Sequence, residues 1–408
     1  MSRLSRSWSG AILTAAAVGS VTVALLPGPV QAAPKPDTPK QGAATLEVIA
    51  DNLHNPRGIS VQRDGTILVA EAGLGKPGCE AGETCVGLTG SVYRVKGHRQ
   101  GRVVEGLPSL AIGPENPQAP VQATGPNDVE GSGWGYRVLS GFSGSVESRA
   151  ALGENAGKLG TFYKAGYGRH HRHSVLADLV EHETRLDPDW VLGRPPGREP
   201  SVLSNAWRFA KSDKGYLVTD AAANDLIGVS HRGGTTTEAI FPDKLIDAAA
   251  APSAQERRLL SAVGGQQATA AEGEKVRVQA VPGGIVKGPD GAYYISEVAG
   301  LKPGASRIWR MEPGHRPEVF VEGLTAVTDL ALDGKGSLVA LTYTGGFTQD
   351  GPLPGALNKI DLDTKKVTEI PTDGKLQVST GLAVGPRGEI YVTNNSTSAE
   401  GQLVRVRP

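Results

Sequence analysis

The sequence predicts an all-β fold, a six-bladed β-propeller occupying residues 44–408 as a single domain. Three observations carry this prediction. First, a strand-turn-strand unit, clearest over residues 282–297 (Pro-Gly-Gly-Ile-Val-Lys-Gly-Pro-Asp-Gly-Ala-Tyr-Tyr-Ile-Ser-Glu), returns five more times. Its opening positions are read as Gly58, Asp128, Ala206, Gly284, Asp329 and Gly381, at spacings of 45 to 78 residues. The shortest spacing fits one blade of four strands at roughly 40 to 50 residues, and longer ones are blades with insertions. Second, 55 glycines and 28 prolines without a collagen-like period suit many short strands joined by tight turns. Third, residues 45–54 resemble the fourth-strand stretch 316–325, whereas the last repeat stops at its third strand, Gln402 to Arg407. The N-terminal strand is therefore expected to complete the last blade and close the ring, leaving no open sheet edge.

Taken in order, the chain begins with a basic hexapeptide and an apolar run from Ala11 to Leu26, followed by Val30-Gln31-Ala32. This pattern reads as a signal peptide over residues 1–32, and the protein is expected to be secreted or otherwise extracytoplasmic. The run is shorter than the roughly 18 apolar residues of a membrane span, and no later stretch is long enough. Residues 33–43, rich in Pro and Lys, read as a disordered leader. The first blade carries Cys79 and Cys85, the only cysteines, in a Gly-rich loop after Glu71. Six residues apart in an exported chain, they read as a local disulfide. In the second blade, residues 159–164 are expected as the third strand, followed by His170, His171 and His173, with His182 further on. No acid or thiol stands at ligand spacing there, so a structural reading outweighs a zinc site. Few helices are expected, all short and in inserted loops. One is placed near Ala254 to Leu260 by the capping-box start at Pro252-Ser253.

Within a blade, strands one and two form a hairpin, so the start of the first and the end of the second lie on the same face. That places Arg57, Asn127, Asp128, Asn205 and Asp329 with Glu71, Asp220, Glu297 and Asn394 as a polar ring and tentative ligand-binding set on one face. Asn205, Asp220 and Glu297 are the tentative core of a metal site, since calcium takes six to eight oxygen ligands from carboxylates, amides and water. The fifth repeat offers Thr342 where others have an acid or amide. The inserted loops 186–203 and 242–279 fall on the same face, while the Asp64-Gly65, Asp290-Gly291 and Arg387-Gly388 turns fall on the other. Trp207, Trp309, Tyr293 and Tyr294 read as packing between blades.

Residues Asn55-Pro56-Arg57-Gly58 with Val69-Ala70-Glu71-Ala72-Gly73, Gly106-Leu107-Pro108-Ser109-Leu110 with Ala123 to Val129, Leu217 to Ala221 with Asn224-Asp225-Leu226, Val281 to Glu297, and Thr328-Asp329-Leu330-Ala331 carry a resemblance. Over residues 44–406 the chain resembles the ScyD/ScyE family of secreted six-bladed propellers, within the group similar to NHL-repeat and gluconolactonase-type propellers. The resemblance implies the fold and export, not a defined activity. Similarity to gluconolactonase-type propellers further implies a metal, such as calcium, polarising a lactone carbonyl near the channel mouth.

Removing the signal peptide after Ala32 takes Arg3 and Arg6, so the remaining chain carries a formal net charge of −2 and lacks the basic footprint of a nucleic-acid binder. No phosphate loop or nucleophile elbow is present. The sequence thus predicts a monomeric propeller binding a small molecule or an extracellular protein on its polar face, with a calcium-dependent lactonase or esterase as the alternative.

Overall fold

Alternating apolar side chains on short strands decide the architecture, because each strand must bury both of its faces. In Ile67–Glu71, Ile67 and Val69 pack with Tyr391 and Leu403 of the last blade, while Leu68 and Ala70 pack with Val129 and Val138 of the second. The same division recurs at every junction. Leu139 and Phe162 meet Val218 and Ile227, Leu217 and Phe241 meet Tyr293 and Trp309, Tyr294 and Phe320 meet Leu330 and Leu338, and Leu341 and Leu357 meet Val392 and Val404. Six apolar clusters thus lie between neighbouring blades and hold them as a ring. Each fully buried Val, Leu or Ile in them contributes roughly 1.5–3 kcal/mol.

The computed structural model describes residues 44–116, 120–133, 135–166, 173–192, 202–247, 271–272, 275–348 and 351–407. Its blades are six antiparallel sheets, five of four strands and one of five. The first uses Pro56–Val61, Ile67–Glu71, Thr84–Lys96 and Arg99–Ile112, with the short strand Ala123–Thr124 at its edge. The second uses Pro126–Ser132, Gly135–Ser140, Thr161–Gly166 and His173–Asp178, its third strand two residues later than expected. The third runs from Ala206–Ser212 to Thr235–Ile240, the fourth from Pro282–Lys287 to Glu318–Leu324, and the fifth from Val327–Leu332 to Val367–Ile370. In the sixth, Gly381–Val384, Ile390–Asn394 and Gly401–Arg407 are joined by Thr45–Leu53. That N-terminal strand pairs antiparallel from Thr45 opposite Arg407 to Leu53 opposite Gly401, so the ring closes as the sequence predicts.

One feature of the repeat differs from the sequence reading. Ala206 pairs with Asp220 as Pro56 pairs with Glu71, Pro126 with Ser140, Pro282 with Glu297 and Val327 with Thr342. The position equivalent to Gly58, Asp128, Gly284 and Asp329 is therefore Arg208, not Ala206, and Asn205 precedes its strand rather than opening it. A long aliphatic stem and a charge at an otherwise Gly or Asp position hid this register.

Among the described residues, two short α-helices lie in the inserted segments, α1 at Val146–Ala151 and α2 at Leu179–Leu186. Ser145 caps α1 through a reciprocal pair with Ser148, and Asp178 caps α2 by accepting from the Glu181 amide. No helix among the described residues is long and apolar enough to cross a membrane. The expected helix near 254–260, the signal peptide and leader, His170 and His171 lie outside the described residues. Cys79 and Cys85 form the disulfide, with Cα atoms 6.1 Å apart.

Candidate functional site

The polar residues that end the second strands of blades one, three, four and six, Glu71, Asp220, Glu297 and Asn394, are turned inward as clasps. Glu71 Oε1 accepts from the His54 amide at 2.7 Å, its other oxygen accepts from the Ser91 hydroxyl, and Arg102 pairs with both oxygens. Asp220 accepts from the Asn205 amide at 2.6 Å, the Ser204 hydroxyl, and the Ala222 and Ala223 amides, each at 3.1 Å. Asn394 Oδ1 accepts from the Gln377 amide at 2.6 Å and the Ser379 hydroxyl at 3.1 Å. In all three blades a side-chain oxygen gathers a backbone N–H from just before the first strand and a serine hydroxyl nearby. Glu297 instead accepts from the Arg307 amide and Nε, at 3.0 and 2.5 Å, and from Trp309 Nε1 at 2.9 Å.

These contacts decide how well Asn205, Asp220 and Glu297 suit a cation. Every carboxylate oxygen of the two acids already faces an N–H or O–H donor, and Glu297 has the Arg307 guanidinium against it. A cation there would have to displace or compete with these donors, and beside Glu297 with the Arg307 charge. Asn205 Oδ1 stands 3.5 Å from the amide nitrogen of Asn127. Burial pushes the carboxyls of Asp220 and Glu297 upward, and their donors pull them back. The donor set fits structural clasps and does not fit a hard cation.

The centre of the ring is filled by charge. Arg208, missed by the sequence reading, is buried and donates Nε to Asp329 Oδ2 at 3.1 Å, Nη1 to the Asn127 carbonyl at 2.7 Å and Nη2 to the Thr380 carbonyl at 2.5 Å. One guanidinium therefore ties blades two, three, five and six across the axis. Its carbon lies 4.8 Å from the centroid of the Trp207 ring, whose indole N–H donates to the Thr328 carbonyl at 3.3 Å. Arg57 is equally buried and donates to the carbonyls of Ser396 and Ala123, the latter at 3.0 Å. Burial lowers its guanidinium to about 10.

Asp128 and Asp329 occupy equivalent places and make equivalent bonds. Asp128 accepts from the Val129 amide at 2.9 Å and from the Phe209 amide of the next blade at 3.1 Å. Asp329 accepts from Leu330 and, in the next blade, Leu382, both at 2.9 Å. Each carboxylate sits against a glycine of the preceding blade. A Cβ on Gly58 would come within 2.3 Å of Asp128 Oδ1, and one on Gly284 within 2.5 Å of Asp329 Oδ1. Burial lifts Asp128 to about 7, with Arg208 opposing and Asp329 adding to the rise.

Open space lies on the other face from the clasps. A funnel of about 320 Å3 reaches Asp128 along the inner strands, between Ile59, Phe209, Ile285 and Val286, with Glu130, Lys211 and Lys287 also in its wall. It shares Ser60, Glu130 and Lys211 with a groove of about 600 Å3 lined by Gln62, Arg63, Arg94, Lys96 and Tyr136. Lys96 pairs with Asp64 at 2.8 Å and Lys211 with Glu130 at 2.5 Å. Arg63 and Arg94 have no acidic partner among the described residues.

Of the histidines singled out, His182 is buried on α2 with its two ring nitrogens 3.0 Å from the hydroxyls of Thr235 and Thr237, and burial lowers it to about 4. The aromatic residues pack between blades as expected, Tyr293 with Trp309 and Tyr294 with Phe320.

Fold and site together define a six-bladed β-propeller with a sealed polar centre and a funnel on its turn face. Solved structures align with most of the chain at low identity. A catalytically inactive virginiamycin B lyase from Staphylococcus aureus, solved with quinupristin, has 11% identity over 90% of this chain and 99% of that one, with a TM-score of 0.44. A glucose dehydrogenase has 14% identity over 89% and 99%, at 0.47, and a putative gluconolactonase 10% over 90% and 93%, at 0.45. No family model and no curated protein matches the sequence. At these identities the likeness concerns fold, and no site residue is carried over from it.

Proposed function

We propose that this protein is an extracytoplasmic binding propeller whose ligand is a small anionic molecule held in the funnel and groove on the turn face. The observation that carries this reading is the pairing of an apolar-walled cavity with two arginines, Arg63 and Arg94, that form no ion pair among the described residues, the groove's acids Asp64 and Glu130 being paired with Lys96 and Lys211. A carboxylate or phosphate entering the groove would meet guanidinium groups suited to bidentate contact. Its apolar part would reach between Ile59, Phe209 and Ile285. The sequence expectation placed binding on the opposite, clasp face, where the polar side chains are spent on internal bonds.

A panel of hydroxy acids, aromatic carboxylates and sugar phosphates, screened by thermal shift, tests this reading. At least one should raise the melting temperature, and the Arg63→Ala/Arg94→Ala variant should lose that rise at unchanged intrinsic stability. A panel without hits, or a rise that survives the double substitution, would remove the site from consideration.

A second reading, hydrolysis of a lactone or ester, is favoured by Asp128. It lines the funnel with its carboxyl near neutrality, as a general base requires. It predicts turnover that persists in chelator and disappears in Asp128→Asn.

A further inference from the structure

We propose that a cavity between blades three and four is a second binding site, for a small organic cation: an ammonium or guanidinium group on an apolar body. Six equivalent places in the ring point to this chemistry. On the third strand of each blade, one residue pairs with Leu68, Arg137, Leu217, Tyr294, Val339 or Tyr391 of the second strand, and cross-strand partners share a face. That face is turned to the following blade, as Leu68, Leu217, Tyr294, Val339 and Tyr391 show by the clusters they join. In chain order the residue is Arg94, Lys164, Gly228, Arg310, Lys359 and Arg405. Five blades put a long base at the junction, and the third puts no side chain there. Three of the bases are tied to an acid of their own blade, Arg310 to Asp290 and Lys359 to Asp333 at 2.8 Å, and Arg405 to Glu47 at 2.6 Å.

The backbone does not demand glycine at this place. Gly228 lies inside the strand Asp225–Ser230 and is not among the residues with positive φ. Glycine inside a strand weakens it, and marks a place that something else approaches closely. What approaches is an acid. A Cβ on Gly228 would come within 2.5 Å of Glu238 Oε1 and 2.7 Å of the Thr236 hydroxyl. Glu238 accepts from that hydroxyl at 2.7 Å and forms no ion pair among the described residues. Its carboxylate thus lies over the place from which the other blades extend a base.

There is room for a ligand to supply that base. The cavity measures about 440 Å3, and small-molecule sites run from roughly 300 to 1,000 Å3. Leu217, Tyr293 and Met311 give it an apolar wall, continuous with the cluster of this junction. It shares no lining residue with the funnel or the groove. Two acids, Asp213 and Glu238, line it against one base, Lys214, which is exposed in the turn before Gly215. Asp213 already pairs with Lys287 at 3.1 Å, which leaves Glu238 to hold the cation.

Met311 supplies a direct reporter, because it is buried in the cavity wall and the chain has only one other methionine, Met1. In the full chain labelled with 13C-methyl methionine, Met311→Leu assigns the signal. Phenethylamine is then titrated, with phenethyl alcohol and hydrocinnamate as its neutral and anionic analogues. The amine should shift the Met311 signal saturably, and both analogues should bind at least about tenfold more weakly, as the loss of a charged hydrogen bond predicts. Glu238→Gln, an exposed change that should leave the fold intact, should weaken the amine by a similar factor. Gly228→Arg gives the third blade the side chain its neighbours carry, so it should melt at or above wild type and abolish the shift. If Gly228→Arg fails to fold, Glu238→Gln alone decides the matter. An amine that produces no saturable shift, an equal affinity for hydrocinnamate, or an amine affinity that survives Glu238→Gln would overturn the site.

Discussion

Arg208 shows what one side chain does at the axis of a ring. Its guanidinium serves Asp329, Asn127 and Thr380 at once, so its removal strands a buried carboxylate and two carbonyls. Arg208→Met is expected to cost roughly 3–5 kcal/mol in urea unfolding, and Arg208→Met/Asp329→Asn clearly less than the sum of its single variants. Additive costs would show that the pair is not coupled. Asp128 gives a different signature. It titrates near 3.9 when unfolded and at about 7 in the fold, so between these values the folded state keeps a proton that the unfolded chain has lost. Stability should therefore fall as pH rises through that window, by roughly 1.4 kcal/mol per pH unit from this group. Asp128→Asn should flatten that part of the slope between pH 5 and 7, although the raised carboxyls of Asp220, Glu297 and Asp329 keep some of it. Identical slopes in the two proteins would place the titration elsewhere.

At the scale of single elements, the clasps and the disulfide make separable predictions. Asp220→Ala leaves the Asn205, Ala222 and Ala223 amides without their acceptor, and each buried orphan donor costs about 1–3 kcal/mol. Because the Asp220 oxygens serve these donors, the loss should be the same in calcium and in chelator. A loss that disappears in chelator would restore a cation to that acid. The Cys79 to Cys85 bridge closes a loop only six residues apart in sequence, so Cys79→Ser/Cys85→Ser should lower stability by no more than about 1–3 kcal/mol. These elements also mark how far the sequence could be read. Strand order, ring closure and the cysteine pairing were legible because alternation, repeat spacing and cysteine count are local signals. The roles of Asp220, Glu297 and Asn394 were not, since a polar residue ending a strand looks the same whether its oxygens face a channel or the amides beneath it. Arg208 was hidden because the third repeat carries arginine where the others have glycine or aspartate, and the eye aligned Asn205-Ala206 instead.

For the molecule as a whole, stability rests on the ring being complete. The N-terminal strand adds paired backbone along Gly401–Arg407, and Glu47 accepts from both Arg405 and Arg407 at 2.6 Å. A chain beginning at residue 44 should melt like one beginning at residue 33. A chain beginning at residue 54 should melt far lower, because the last blade then ends on an unpaired edge and Ala50 and Leu53 leave the cluster shared with the first blade. Similar melting of the two truncations would refute closure as a source of stability.

The same closure imposes an order in time. Thr45 and Arg407, partners in the ring, are the first and nearly the last residues of the fold to be synthesised. At 5 to 20 residues per second a ribosome needs roughly 20 to 70 s to make the chain between them. Throughout that interval the opening strand has nothing to pair with and the growing blades have no closed circumference. Refolding in a dish, where both ends are present from the start, should therefore run ahead of folding during synthesis. A protein with this topology gains most from partners that hold its first strand apart until its last one arrives.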